Sequence, residues 1–252
     1  MPQGKGTQDK PFKISPSQLG SFCDCACCYW LEHNAGIKKP TGIMAGLPIG
    51  IDTTFRTYYR RHADAGTVPT EISSDPRFKG WTMSSDVDLV SKRIQLDPKD
   101  HIISKKGCHY TLFGTMDEML VDDNGLNVIV DFKTKASKKS SDKGPHPSAI
   151  RQMAAYAWIM ESNSIPVRDE AYLAHLYPVN ATDGPMVEFS RDFFAVDVSS
   201  TERKVIQNLH TNYISAYKVS IATNVNVISD EASSRSTPKR FSKHIATPNL
   251  KS

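Results

Sequence analysis

Two strand-like segments joined by a turn constrain this chain more than any other feature. Cys108 to Val121 (CHYTLFGTMDEMLV) has strand character, and Leu126 to Thr134 (LNVIVDFKT) is rich in β-branched residues. Between them, Asp122-Asp-Asn-Gly125 reads as a hairpin turn, because Asn-Gly accepts positive φ at low cost. The hairpin puts Asp117 on one strand and Asp131 on the next. Lys133, two residues after Asp131, points to the same face of the sheet.

The flanking sequence supplies helices. Residues 1–13 read as a flexible arm. Ser15-Pro-Ser-Gln18 then reads as an N-cap, a proline at the first helical position and a Gln closing a capping box. Leu19, Cys23, Ala26 and Trp30 follow at helical spacing as one apolar stripe, and Gly36 is a stop. After a Gly/Pro-punctuated loop through Pro40, Gly42, Gly46, Pro48 and Gly50, a second helix starts near Asp52, with Phe55, Tyr58 and Tyr59 on its inner side. Residues 66–105 carry only short apolar clusters. A basic loop (135–147) leads to a helix over about 148–161, strands over 171–178 and 186–197, and a last helix over 199–219. The pattern predicts an α/β fold with a central mixed β-sheet flanked by helices. It spans about 14–225, with a basic tail over 226–252 that reads as disordered.

Composition bounds the function. A chain of 252 residues, 39% hydrophobic and 23% charged, suits one globular domain with a buried core. Net charge +4 permits a polyanionic partner without requiring one. No apolar run is long enough to span a bilayer, and the polar N-terminus lacks a signal-peptide core. The expectation is an intracellular protein with no membrane partner, cytoplasmic or virus-encoded. In that setting Cys23, Cys25, Cys27, Cys28 and Cys108 stay reduced.

Two carboxylates converging at strand ends make a site for a hard divalent cation such as Mg²⁺ or Mn²⁺. An ammonium beside them can lower the pKa of a bound water or stabilise charge building on phosphorus. Such a group suits phosphodiester hydrolysis. An Asp-x-Lys alone is more often a solvated strand face with a surface ion pair. Gln152 and Tyr156, at i and i+4, share a helix face from which they can reach phosphate or hold Lys133. Tyr156 alone would read as core beside Ala155 and Ile159.

Taken in order, these motifs resemble the PD-(D/E)XK nuclease superfamily, in its RecB/Cas4-like branch. Ser17, Leu19, Phe22, Cys25, Tyr29 and Leu31 fill the places of its entry helix. Gly114-Thr-Met-Asp117 resembles its Gly-x-x-Asp strand, Asp131-Phe-Lys133 its (D/E)-x-K strand, and Gln152-Met-Ala-Ala-Tyr156 its Gln-x-x-x-Tyr helix. The resemblance implies a restriction-endonuclease-like core and a Mg²⁺- or Mn²⁺-dependent DNA nuclease, exonuclease-like, working in DNA processing, repair or recombination. It implies metal held by Asp117, Asp131 and the Phe132 backbone carbonyl. Lys133 would position or activate water, with Gln152 and Tyr156 orienting phosphate or Lys133. The partner implied is DNA, at ends or single strands, with further protein partners in a repair complex.

Two departures follow. Gly50-Ile51-Asp52 stands where many members carry a His ligand, so Asp52 is either a further metal ligand or the N-cap of its helix. Cys25 matches the first of four iron–sulfur cysteines, but no Cys follows Cys108. No iron–sulfur cluster is expected, and four thiols crowded on one helix do not suit zinc. Lys135, Lys138 and Lys139 are candidate phosphate contacts. Rival readings are a catalytically silent nucleic-acid-binding module, a structure-specific endonuclease or RNA nuclease, and an α/β protein that binds no nucleic acid.

Overall fold

The alternation of Val128, Val130 and Phe132 with Ile129, Asp131 and Lys133 decides how the centre of the molecule is layered. The structure, a computed structural model, describes residues 6–38, 46–104, 107–138, 144–181 and 187–214, all within the first compact unit, Met1–Ser215. In chain order its strands and helices are β1 (Phe12–Ile14), α1 (Pro16–Asp24), α2 (Ala26–Asn34), α3 (Gly46–Asp64), α4 (Thr70–Ser73), β2 (Thr82–Met83), α5 (Val87–Ser91), β3 (Ile94–Gln95), β4 (Ile102–Ile103), β5 (His109–Gly114), β6 (Glu118–Val121), β7 (Asn127–Thr134), α6 (Pro147–Ser162), β8 (Glu170–Ala181) and β9 (Val187–Asp197). A further helix, α7, covers residues 200–214.

The protein is α/β, with mixed sheets flanked by helices. The larger sheet has the order β2-β6-β7-β8-β9, and only the β7–β8 pairing in it is parallel. A parallel pair needs a crossover, and α6 supplies it. On one face, Val128, Val130 and Phe132 join Tyr59, Leu120, Tyr172, Ala174 and Leu176 in the core, with Tyr59 stacked on Phe132 at 4.7 Å. Each of the Val, Leu and Phe side chains buried there stabilises the fold by about 1.5–3 kcal/mol. The opposite face, carrying Asp131 and Lys133, meets α6. A smaller sheet gathers β1, β3 and β4 on β5.

Several expectations need correction. The described part of the N-terminal arm is ordered by pairing: Phe12–Ile14 lies parallel to Tyr110–Leu112, and His109 N–H donates to the Gly6 carbonyl at 2.9 Å. The Ser15 capping box forms as read, but the first helix breaks at Cys25, whose backbone is extended. Cys25 ends α1 with an N–H to the Ser21 carbonyl and starts α2 with its Sγ accepting from Cys28 N–H at 3.2 Å. The break scatters the stripe: Leu19 is buried, whereas Cys23 and Ala26 are exposed. Tyr29 packs instead with Phe22 and Tyr213, and the Tyr29 and Tyr213 hydroxyls share a hydrogen bond. The second helix starts at Gly46, so Asp52 is interior to it and is not its N-cap. The segment 108–121 is two strands, with Thr115–Asp117 passing from the small sheet to the large one. In the hairpin turn only Gly125 has positive φ (77°), while Asp122 Oδ1 accepts from the N–H groups of Asn124 and Leu126.

The inner side of α7 carries a pH-sensitive element. His210 is fully buried beside Trp158, and neither ring nitrogen has a hydrogen-bond partner among the described residues. Burial, then the neighbouring His101, pushes its pKa down to about 4. The imidazole stays neutral in the fold but takes a proton in the unfolded chain below about pH 6.5. Its contribution is therefore complete above that value and is lost as pH falls towards 4, by about 1.4 kcal/mol for each unit crossed. Thermal melts from pH 7 to pH 4 should show this decline, and His210→Leu should flatten it; an equally steep fall in the variant would refute the assignment.

Candidate active site

The link Thr115–Asp117 and the C-terminal half of β7 build the site. β6 pairs with β7 only as far as Glu118 opposite Val130. Beyond that pair the Phe132 N–H has no strand partner on the β6 side, and Asp117 Oδ2 accepts from it at 2.9 Å. One carboxylate oxygen thus stands in for the strand that has ended. The strand geometry turns the Phe132 carbonyl towards the same side.

On the face towards α6, the i, i+4 spacing sets Gln152 and Tyr156 side by side. Gln152 Nε2 donates to Asp131 Oδ1 at 3.2 Å and to the Tyr156 hydroxyl at 3.0 Å, and Gln152 Oε1 accepts from Lys133 Nζ at 3.5 Å. Lys133 Nζ also stands 2.6 Å from Asp131 Oδ2. That contact is a close, charge-assisted ion pair, and the Lys133 ammonium is the partner the structure gives this buried oxygen. Asp117, Asp131, Lys133, Gln152 and Tyr156 are therefore brought together. Gly114 has a steric role beside them: a Cβ there would lie 2.5 Å from Cε1 of Tyr156.

The electrostatics follow from burial. Asp131 is completely enclosed. Loss of water, and then the Asp117 carboxylate, push its pKa up to about 7 against the pull of Lys133. Burial also raises Asp117, opposed by Arg56, the Phe132 N–H and Lys133. Two buried carboxylates held this close resist full ionisation unless a cation joins them.

Sequence reasoning missed the cations on α3. Arg56 Nη2 donates to Asp117 Oδ1 while its Nε donates to Asp52 Oδ2 at 2.9 Å. One turn on, Arg60 pairs with the buried Glu118 and reaches the Ser84 carbonyl at 3.1 Å. The Asp52/Arg56 spacing was the available signal, as an i, i+4 ion pair. Asp52 is thus joined to Asp117 through Arg56, and the three-carboxylate shell is not assembled. Among the described residues no three His, Cys, Asp or Glu side chains could hold a metal ion together. Of the basic loop, Lys135 continues the β7–β8 ladder, its N–H donating to the Leu176 carbonyl at 2.8 Å, and Lys135 and Lys138 are exposed. Lys139 lies outside the described residues. No helix among the described residues is long and apolar enough to cross a membrane.

Neither a protein-family model nor a curated protein matches the chain. A solved structure titled "Crystal structure of SSO0001" is similar at 14% identity and a TM-score of 0.35, over 81% of this chain and 76% of that one.

Proposed function

We propose that the protein is a divalent-metal-dependent nuclease of the PD-(D/E)XK type, hydrolysing phosphodiester bonds in DNA. The observation that carries this reading is the connected group of Asp117, Asp131, Lys133, Gln152 and Tyr156, centred on the buried Asp131 carboxylate with the Lys133 ammonium against it. The donor set suits Mg²⁺ or Mn²⁺, which bind through one or two carboxylates completed by water and substrate phosphate. Asp117, Asp131 and the Phe132 carbonyl would hold the ion. Bound there, it supplies positive charge to a phosphoryl oxygen and acidifies a water.

The remaining steps belong to the chain. Lys133, a third exposed, offers its ammonium to the attacking water or to charge gathering on phosphorus. Gln152 fixes the ammonium and the Asp131 carboxylate in one orientation, so neither has to reorganise during reaction. Tyr156, largely buried, keeps its hydroxyl protonated and braces the Gln152 amide; burial pushes its pKa up to about 12. Exposed Lys135 and Lys138 follow the site along the chain and suit salt-dependent phosphate contact.

The test is cleavage of end-labelled single- and double-stranded DNA with Mg²⁺ or Mn²⁺. Lys133→Ala should lower the rate on the order of 10³-fold, about 4 kcal/mol of barrier. Equal rates in the wild type and the variant would remove the catalytic assignment. Circular DNA and RNA substrates run in parallel separate exonuclease action from endonuclease or RNA cleavage. DNA binding without cleavage would favour the silent module.

A further inference from the structure

Asp117 has two carboxylate oxygens, and both are engaged. Oδ2 is held by the Phe132 N–H, so its position is set by β7. Oδ1 faces the guanidinium of Arg56. That guanidinium is tethered from behind by Asp52, one helical turn earlier on α3. We propose that Arg56 is a built-in competitor for the metal: it neutralises Asp117 in the metal-free protein and must leave Oδ1 when a divalent cation binds. The inference rests on the nuclease reading above and deepens it by naming what sets the site's metal affinity.

The physical argument is one of charge and place. A guanidinium and a divalent ion cannot both sit against one carboxylate oxygen without repelling each other. The Phe132 N–H occupies Oδ2 and adds no charge, so the exchange takes place at Oδ1. Asp52 keeps Arg56 close after the exchange, because the Nε contact to Asp52 does not involve Asp117. This assigns Asp52 the role of anchoring Arg56, in place of the metal ligand or helix cap. Arg60 is not an equivalent competitor, being committed to the buried Glu118 and to the Ser84 carbonyl.

The experiment measures Mn²⁺ binding to the full chain without DNA, by calorimetry and by the electron paramagnetic resonance signal of free Mn²⁺. Arg56→Gln should bind Mn²⁺ tighter than wild type by roughly fivefold or more, the scale of one ion pair in a high dielectric. Arg56→Lys, which keeps the charge, should remain within about twofold of wild type. In the wild-type protein the Arg56 side-chain NMR signals should shift as Mg²⁺ is added. Unchanged or weaker Mn²⁺ binding in Arg56→Gln overturns the inference, as do Arg56 signals unmoved at saturating Mg²⁺. Wild-type binding that Asp131→Asn abolishes but Arg56→Gln leaves unaltered sinks this inference alone. No Mn²⁺ binding by the wild type sinks it together with the nuclease reading.

Discussion

Asp131→Asn is expected to make the metal-free protein melt at a higher temperature while the proposed metal-dependent cleavage of DNA falls on the order of 10³-fold. The two effects share one cause. The Asp131 side chain is completely enclosed, beside a second carboxylate, and its pKa is pushed up to about 7 by loss of water and then by Asp117. In the unfolded chain it ionises near pH 4. Between those values the folded protein holds a proton that the unfolded chain has lost. Stability from this group is therefore whole below about pH 4 and is lost as pH rises to about 7. At pH 8 the charged, crowded carboxylate works against the fold. An amide of the same shape removes that cost, and its one oxygen can serve either the Gln152 amide or the Lys133 ammonium, whose exposed end is free to turn to water. It cannot supply the charge a divalent cation requires, which is the familiar exchange of stability for function at a polar site.

Melting the wild type and Asp131→Asn at pH 8 without metal checks the first half. A rise of about 3 °C corresponds to roughly 1 kcal/mol in a unit of this size. Mg²⁺ should then raise the wild-type melting temperature and leave the variant's unchanged, because only a ligand that binds the folded state stabilises it. A variant that melts lower than wild type at pH 8, or that still responds to Mg²⁺, would contradict this account of the site.

Gly114→Ala should lower both stability and activity. Its φ is negative, so the glycine is not there for backbone freedom. It is there for the Tyr156 ring, whose Cε1 and Cδ1 would stand 2.5 and 3.3 Å from the new Cβ. Tyr156 is largely buried and cannot swing into solvent. Either α6 shifts or the ring does, at a cost of about 1–3 kcal/mol, or roughly 3–10 °C. Displacing the ring also displaces its hydroxyl from Gln152, so activity should fall further than stability alone explains. Tyr156→Phe, which keeps the ring and drops the hydroxyl, separates the two. Measured against the sum of the two single losses, the double variant Gly114→Ala/Tyr156→Ala should recover part of the melting temperature if the methyl–ring clash is the cause, because the cavity left by the ring accepts the methyl. No recovery would point elsewhere.

What could be read ahead of the structure was local. Ser15 and Gln18 are three residues apart, and their reciprocal bonds need nothing from the rest of the chain. The Asp131/Lys133 and Gln152/Tyr156 pairs follow from strand and helix periods. The α/β order follows from where those periods alternate. The break at Cys25 was hidden because a thiol is a weak acceptor and an unusual N-cap. The start of α3 was misplaced because Pro48 and Gly50 read as punctuation, although a helix tolerates a proline in its first turn. Arg56 was missed because its partner, Asp117, lies 61 residues away and no periodicity links them. β1 has three residues, and only its pairing with β5 makes it a strand.

The short link between β5 and β6 has a mechanical consequence. Thr115, Met116 and Asp117 carry the chain directly from β5 in one sheet to β6 in the other, and Met116 is completely buried. Asp117 is thus moored at a seam: its backbone runs on from the small sheet, while its carboxylate is fastened to the large one at Phe132. A pull on that carboxylate is borne by both sheets together. The spacing of the two aspartates is then a property of how the sheets meet, set by the whole frame and not by the hairpin alone.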